Sequence, residues 1–251
     1  MKQTIAYIFS GLLILLALAY LVAIYACGSL VERALLRIGP QILQAPVSLE
    51  DATLAPLSGQ GSLDNLRIGN PPGWSENPAL RVGRVQMRVR PLSVFDPVVE
   101  VEELVIRDLV VNYETKIVAS NISDLLKNVE AALGKGDDAK APPAQSPDDK
   151  PVRLIVRRLV LNEATVNLSA GARILTIPLP EISLVELGVK EGGLTPAQLG
   201  FAILRSLTAS VVTASTRALG TLGGTSGASA LENAKQIGEA IKSFFGGETK
   251  K

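Results

Sequence analysis

The chain has 251 residues, a length that allows one or two domains. Its 25 Lys and Arg residues nearly balance its 24 Asp and Glu residues, which excludes a nucleic-acid binder held by a basic surface. Histidine is absent and cysteine occurs once, so the sequence cannot form a Ser-His-Asp triad, a histidine-ligated zinc site or an internal disulfide. We therefore predict a non-enzymatic protein with no catalytic, metal-binding or cofactor-binding residues.

The first segment of the chain is strongly apolar. Residues 4–30 carry no charge, and residues 5–27 are a nearly continuous run of Ile, Leu, Ala, Val, Tyr and Phe. Because a helix needs about 20 apolar residues to cross a hydrocarbon core of ~30 Å, this run is long enough to span a membrane. The pattern predicts a transmembrane anchor that continues as a helix to residue 38, where Gly39 and Pro40 stop it.

Two other interpretations of this segment stay open. A cleaved signal peptide has an apolar core of about 7–15 residues, which is shorter than this run. Residues 26–28 (Ala-Cys-Gly) place a cysteine behind a small residue, as in a lipoprotein signal, although Tyr25 fits poorly there. The flanking charges, Lys2 on one side and Arg33 and Arg37 on the other, do not decide the orientation of a span.

After the anchor, short alternating segments separated by Gly, Pro and Asn predict a β-sheet. In residues 84–90 apolar and polar side chains alternate, which gives a strand one apolar face and one wet face. Residues 101–113 align without gaps with residues 156–168 at an offset of 55, and residues 63–70 form a weaker third copy. We interpret each copy as strand, polar turn and strand, with the turns at 107–108 and 162–163. Unless the copies are alike by chance, they predict an elongated sheet built by addition.

Helices are predicted on both sides of the second repeat copy. Asn121 is a candidate N-cap for an apolar stripe that Gly134 closes. Residues 195–198 form a capping box that opens a helix to about residue 219, and a last amphipathic helix covers residues 228–245. The helix after residue 195 carries two arginines and many Ser and Thr residues, which are costly in lipid, so we predict no second span.

Together these elements predict an α+β fold. An N-terminal transmembrane helix precedes an elongated, curled, mainly antiparallel β-sheet with repeated hairpins and two or three amphipathic helices. The predicted regions are the anchor with its helical continuation (1–38), a β-rich region with a closing helix (40–133), a flexible linker (134–151), a second hairpin region (152–190), C-terminal helices (195–245) and a disordered tail (246–251).

The alternation gives the predicted sheet one continuous apolar face. If helices pack over this face, it is an ordinary core; if it stays uncovered, it is a groove for the acyl chains of membrane lipid. The residues that we predict to line such a groove are Val85, Met87, Val89, Leu104, Ile106, Val111, Leu159, Leu161, Val166 and Leu168.

The order of motifs resembles the AsmA-like envelope proteins of Gram-negative bacteria. The resemblance covers roughly residues 1–130 and extends through the repeat at 156–168. It rests on the apolar N-terminal run followed by residues 56–63 (PLSGQGSL), 66–74 (LRIGNPPGW), 85–93, 101–113 and 121–129. The chain departs from the family pattern in its short length and in the Ser/Thr-rich helix after residue 195.

The resemblance implies a single-pass protein of the inner membrane with the bulk of the chain in the periplasm. It implies a curled, groove-forming sheet related to bridge-like lipid-transfer proteins, and a role in phospholipid transport or outer-membrane biogenesis. It transfers no catalytic residue. The alternative is a non-enzymatic envelope tether or scaffold with a filled core, which binds a protein partner or a second copy of itself through a strand edge or its last helix.

Overall fold

The computed structural model describes residues 2–221, except 92, 94, 95, 117, 118, 135–151, 171 and 172. Within these residues the chain has an α+β fold, in which three helices accompany a large, open, mostly antiparallel sheet. The predicted linker at 134–151 falls outside the described residues apart from Gly134. The predicted last helix at 228–245 and the tail at 246–251 lie wholly outside them.

Helix α1 spans Lys2–Leu43 and is longer than predicted. The prediction that Gly39 and Pro40 end it is wrong, although a proline inside a helix removes one backbone hydrogen bond. The last turn is held from outside: the side chain of Val47 packs against Gly39, and Asn128 Nδ2 donates a 2.9 Å hydrogen bond to Leu43 O. The helix ends where Gln44 adopts a left-handed conformation, with φ of 51°.

In the part of the chain that the structure describes, nine strands form the sheet. They are β1 (Val47–Ser48), β2 (Asp51–Ala55), β3 (Gln60–Ile68), β4 (Leu80–Val89), β5 (Val98–Tyr113), β6 (Arg153–Leu161), β7 (Thr165–Ala170), β8 (Arg173–Pro178) and β9 (Ile182–Leu187). Both β1 and β2 pair with β3, which is followed by β4 and β5. The far edge of β5 pairs with both β6 and β7, and β9 and β8 then lie outside them. Among the pairings of these described strands, those of β5 with β6 and β7 are the parallel ones.

The two repeat copies lie side by side in the sheet. Val101 pairs with Val156, Leu104 with Leu159, and Asn112 with Asn167. The pairing register is thus the same offset of 55 that aligns the copies in the sequence. Because equivalent residues become lateral neighbours, the inward apolar side chains of one copy lie beside those of the other on the same face. Asn167 Nδ2 also donates a 3.0 Å hydrogen bond to Asn112 Oδ1.

The structure does not confirm the repeated hairpins or the curl. Residues 107–108 lie inside β5, and residues 162–163 separate β6 from β7, which both run parallel to β5. These polar pairs are therefore not turns between antiparallel strands. Asp108 and Glu163 have φ of 53° and 55°, which is a left-handed backbone conformation. Each adds one extra residue to the alternation of inward and outward side chains along the strand. The inward positions accordingly change from Ile106 to Leu109 without a reversal of the chain.

Helix α2 (Asn121–Leu133) begins one residue earlier than predicted. The N-cap is Ser120, whose hydroxyl accepts a hydrogen bond from Ser123 N. In turn, Ser120 N donates a hydrogen bond to the hydroxyl of Ser123. Asn121 was predicted as the cap but is the first helical residue, because its side chain is committed to contacts inside the core. Gly134 ends the helix as predicted.

Helix α3 (Pro196–Thr221) follows the predicted capping box. Thr195 N donates to Gln198 Oε1 at 2.8 Å, and Gln198 N donates to Thr195 Oγ1 at 3.3 Å. Leu204, Leu207 and Val211 of this helix are buried in the same core as the sheet.

Candidate functional site

The ten groove candidates lie together on one face of four neighbouring strands. All ten belong to a single hydrophobic core or pack against it. Met87 is half-buried, whereas the other nine are at most 9% exposed. These nine are Val85, Val89, Leu104, Ile106, Val111, Leu159, Leu161, Val166 and Leu168.

The register of the strands arranges these side chains in rows that cross the sheet. One row joins Met87, Leu104, Leu159 and Leu184 on β4, β5, β6 and β9. Two further rows are built in the same way and consist of Val85, Ile106, Leu161 and Ile182, and of Leu80, Val111, Val166 and Ile177. The sequence prediction of one shared apolar face therefore matches the observed register.

Helices α2 and α3 complete the core on this apolar face. Ile122 and Leu125 of α2 and Val211 of α3 are fully buried in the same core as the groove candidates. Leu159 is 1% exposed, so its side chain lies in a closed interior. Acyl chains can reach these residues only if a helix leaves the face. The lipid-binding role of the ten residues stays a prediction.

A polar band crosses the opposite face of the sheet, and the sequence analysis missed it. The band consists of one residue from each of β3, β4 and β5 and one from the β6–β7 junction. The pairings of the residues before and after them place these four in one line across the sheet: Asn65, Gly83, Asp108 and Glu163. All except Gly83 have φ between 52° and 55°. A β-carbon on Gly83 would lie only 2.7 Å from that of Asp108. The sequence signal for this band is the pair of consecutive polar residues at the same position of each repeat copy, a pattern that also suits a turn.

The band lines a shallow cleft of about 490 Å³. Arg84 Nε donates a 2.6 Å hydrogen bond to Asp64 Oδ1, and both side chains are partly exposed to solvent. The cleft also contains Arg107, Asp108 and Glu163. Because acidic and basic groups are mixed, the cleft has no single-sign field that would select an ionic ligand.

Helix α1 divides into an exposed and a packed part. Apolar side chains between Tyr7 and Val22 are 52–76% exposed at ten positions. Farther along, Gly28 is buried, and a β-carbon there would overlap the carbonyl oxygen of Ala52 on β2. The glycine thus permits direct contact between the helix and the strand backbone. Helix α1 is long and apolar enough to be a candidate membrane span, and only 6% of the residues in its most apolar stretch are buried.

Helix α3 is also long and apolar enough to be a candidate membrane span, over Pro196–Arg217. A third of the residues in its most apolar stretch are buried, and the helix contributes Leu204, Leu207 and Val211 to the core. These contacts are typical of a core helix in a folded domain.

A second cleft, of about 670 Å³, lies between α1 and the sheet. Ile24 contributes from the helix, and Ala55 and Gln60 contribute from the two ends of the β2–β3 turn. On the sheet side the cleft is lined by Arg88 and Arg107 as well as Glu103 and polar side chains of β3 and β4. The cleft is therefore mostly polar although it adjoins the apolar helix.

Trp74, the only tryptophan, is part of a polar cluster at the far end of the sheet. Its Nε1 donates a 3.0 Å hydrogen bond to Asp124 Oδ2 of α2, and Lys116 Nζ lies 4.4 Å from the ring centroid. It is a packed turn residue. On β5, burial raises the pKa of Tyr113, and a hydrogen bond with Ser120 opposes this shift.

Within residues 2–221, gaps excepted, no group of three or more His, Cys, Asp or Glu side chains is placed to hold a metal ion. Comparison of the chain with protein-family models, with curated proteins and with solved structures finds no match.

Proposed function

We propose that this chain is a single-pass protein of the Gram-negative inner membrane whose α+β domain lies in the periplasm and takes part in phospholipid transport or outer-membrane biogenesis. The proposal combines the candidate span α1 with the resemblance to the AsmA-like proteins. One observation carries it: a helix with an exposed apolar half continues without a break into a half that packs on the sheet. Such a helix holds the domain directly at the membrane that its apolar half enters.

The apolar sheet face is the proposed path for lipid chains. Its rows of Val, Leu and Ile side chains are continuous across the two repeat copies, as a surface for acyl chains requires. Access requires that α3 moves away from the sheet, because Leu159 and Val166 are at most 1% exposed in this structure. The lipid-transport proposal therefore includes an opening motion of this helix.

Photo-crosslinking tests this path in the full chain. Met1 and Met87 are the only methionines, so Met87→Leu leaves no internal methionine. Adding Leu159→Met places photo-methionine deep in the core, and a Leu-to-Met exchange costs under about 1.5 kcal/mol. After irradiation in native membranes, we expect a phospholipid-mass adduct on the tryptic peptide that begins at residue 159. The matched control is Met87→Leu alone, which should give no adduct on this peptide.

The second candidate function is an envelope tether with a filled core. The burial of the groove candidates beneath two helices favours it. In the same experiment, a filled core predicts crosslinks from position 159 only to other residues of this chain, such as those of α2 or α3. That result, with no lipid adduct at any lipid composition tested, would contradict the groove and leave the tether as the proposed function.

A further inference from the structure

The turn between β2 and β3 is free of charge and carries an exposed leucine. Asp51 and Asp64 enclose twelve residues, none of which is charged. At the tip of this hairpin, Leu57 is 66% exposed, next to Pro56. A charge-free tip with an exposed large apolar side chain is unusual for a surface in water, where turns are rich in polar residues.

The packing of α1 on the sheet determines which way this hairpin points. Gly28 contacts Ala52, and eleven residues later Gly39 contacts Val47. Helix and chain therefore run in opposite directions, and the spacing of the two contacts is compatible, because eleven helical residues rise about 16 Å and five residues of nearly extended chain span a similar distance. Beyond Ala52, the chain runs back alongside α1 towards the exposed apolar half of the helix.

The same geometry gives the level of the tip along α1. Leu57 is five residues beyond Ala52 and follows a strand that ends at Ala55, so it lies about 10–15 Å farther along. This distance corresponds to about seven to ten helical residues, which places the tip beside residues 18–21 of α1. The cleft that Ile24 shares with Ala55 agrees with this level.

The charges near Ile24 mark where lipid headgroups would begin. Arg88, Glu103 and Arg107 line the cleft beside this residue, and charged groups are stable at the headgroup level but not in hydrocarbon. Residues 4–23 form a stretch of about 20 residues before this level, enough to cross ~30 Å of hydrocarbon. The tip of the β2–β3 hairpin is on the hydrocarbon side of these charges.

We propose that Leu57 and the β2–β3 turn enter the interface of the bilayer that α1 spans, so that the sheet stands with this end on the membrane. The occupant of this surface is the lipid bilayer itself. The inference rests on the proposed membrane anchoring by α1 and adds a second contact to it. This contact fixes the orientation of the sheet, with the loop between β3 and β4 farthest from the lipid.

Fluorescence quenching tests this contact in the full chain reconstituted in phospholipid vesicles. In a Cys27→Ala background, Leu57→Cys provides a single site for the environment-sensitive NBD label, and residue 57 is exposed enough to be labelled without disturbing the core. Leu16→Cys in the exposed half of α1 reports on the anchor, and Glu76→Cys at the opposite end of the sheet reports on solvent. Two phospholipid quenchers are used, one with a spin label near its headgroup and one with a spin label near the end of an acyl chain.

We expect the headgroup quencher to remove most of the fluorescence at position 57, the acyl-chain quencher to remove most of it at position 16, and neither quencher to affect position 76. Quenching at 16 without quenching at 57 would overturn the inference and leave the anchor in place. Absence of quenching at 16 would contradict the proposed membrane anchoring as well. Equal quenching at 57 and 76 would also overturn the inference, because the sheet would then lie flat on the membrane.

Discussion

Replacing Leu159 with alanine is expected to lower the free energy of unfolding by about 2–5 kcal/mol. The side chain is 1% exposed and lies between Leu104 and Leu184 in one of the rows that cross the sheet. Its truncation removes apolar contacts on both sides and leaves a cavity that neighbouring strands cannot fill without changing register. Denaturant unfolding of the full chain in detergent, followed by far-ultraviolet circular dichroism, measures the change.

Ile174→Ala is the control for this substitution. Ile174 is also an apolar strand residue, but it is 71% exposed on β8, so its truncation should change the free energy of unfolding by no more than about 0.5 kcal/mol. Equal effects of the two substitutions would mean that Leu159 is not packed as described. The face would then be accessible in solution, as an open groove requires.

Replacing Asn121 with alanine is expected to destabilise the domain by about 2 kcal/mol or more, because each buried polar group left unpaired costs about 1–3 kcal/mol. Asn121 Oδ1 accepts a 3.0 Å hydrogen bond from Glu114 N. Its Nδ2 donates to Asn70 Oδ1 at 2.8 Å and to Asn112 O at 2.7 Å. One fully buried side chain thus joins α2, the loop after β3 and the end of β5.

The effect of Asn121→Ala can be followed at Trp74, whose indole is hydrogen-bonded to Asp124 on the first turn of the same helix. We expect its fluorescence to change at a lower denaturant concentration than in the unmodified chain. Asn128→Ala, which removes one hydrogen bond from α2 to Leu43 O, is the matched control and should have a smaller effect. If both variants unfold at the same concentration, the Asn121 network does not hold α2 in place.

The sequence was sufficient for the local features of the fold. Alternation located β4, the capping box at Thr195 located the start of α3, and the absence of charge over residues 4–30 located the candidate span. The offset of 55 between repeat copies even equals the register of the parallel pairing. This agreement arises because a repeated apolar pattern keeps its side chains on one face only when equivalent residues lie side by side.

What the sequence could not supply were features that depend on the rest of the fold. Two consecutive polar residues are typical of a turn, but they also suit a strand with a left-handed residue such as Asp108, and only the neighbouring strands decide between the two. Likewise, Asn121 is as good a cap as Ser120 until its side chain is needed by buried groups on other elements. The closed state of the candidate groove was also unpredictable, because it depends on where α3 docks.

Both the lipid path and the hairpin contact depend on the position of α1. Its packed half fixes the direction of β2 at Gly28, and its exposed half is the candidate span. If α1 crosses the membrane, the β2–β3 turn and the end of the sheet that carries it lie at the lipid surface. A domain that transports phospholipid has access to lipid there. If α1 does not cross the membrane, neither the lipid path nor the hairpin contact has a basis.

The most direct test of this central claim is the topology of the full chain in the envelope of a Gram-negative host. The Cys27→Ala, Glu76→Cys variant carries one thiol, on an exposed loop of the domain. We predict that the protein stays with the inner membrane after alkaline extraction, and that a membrane-impermeant maleimide labels residue 76 in spheroplasts whose inner membrane is intact. Labelling that occurs only after lysis of the inner membrane, or release of the protein into the soluble fraction, would contradict the account.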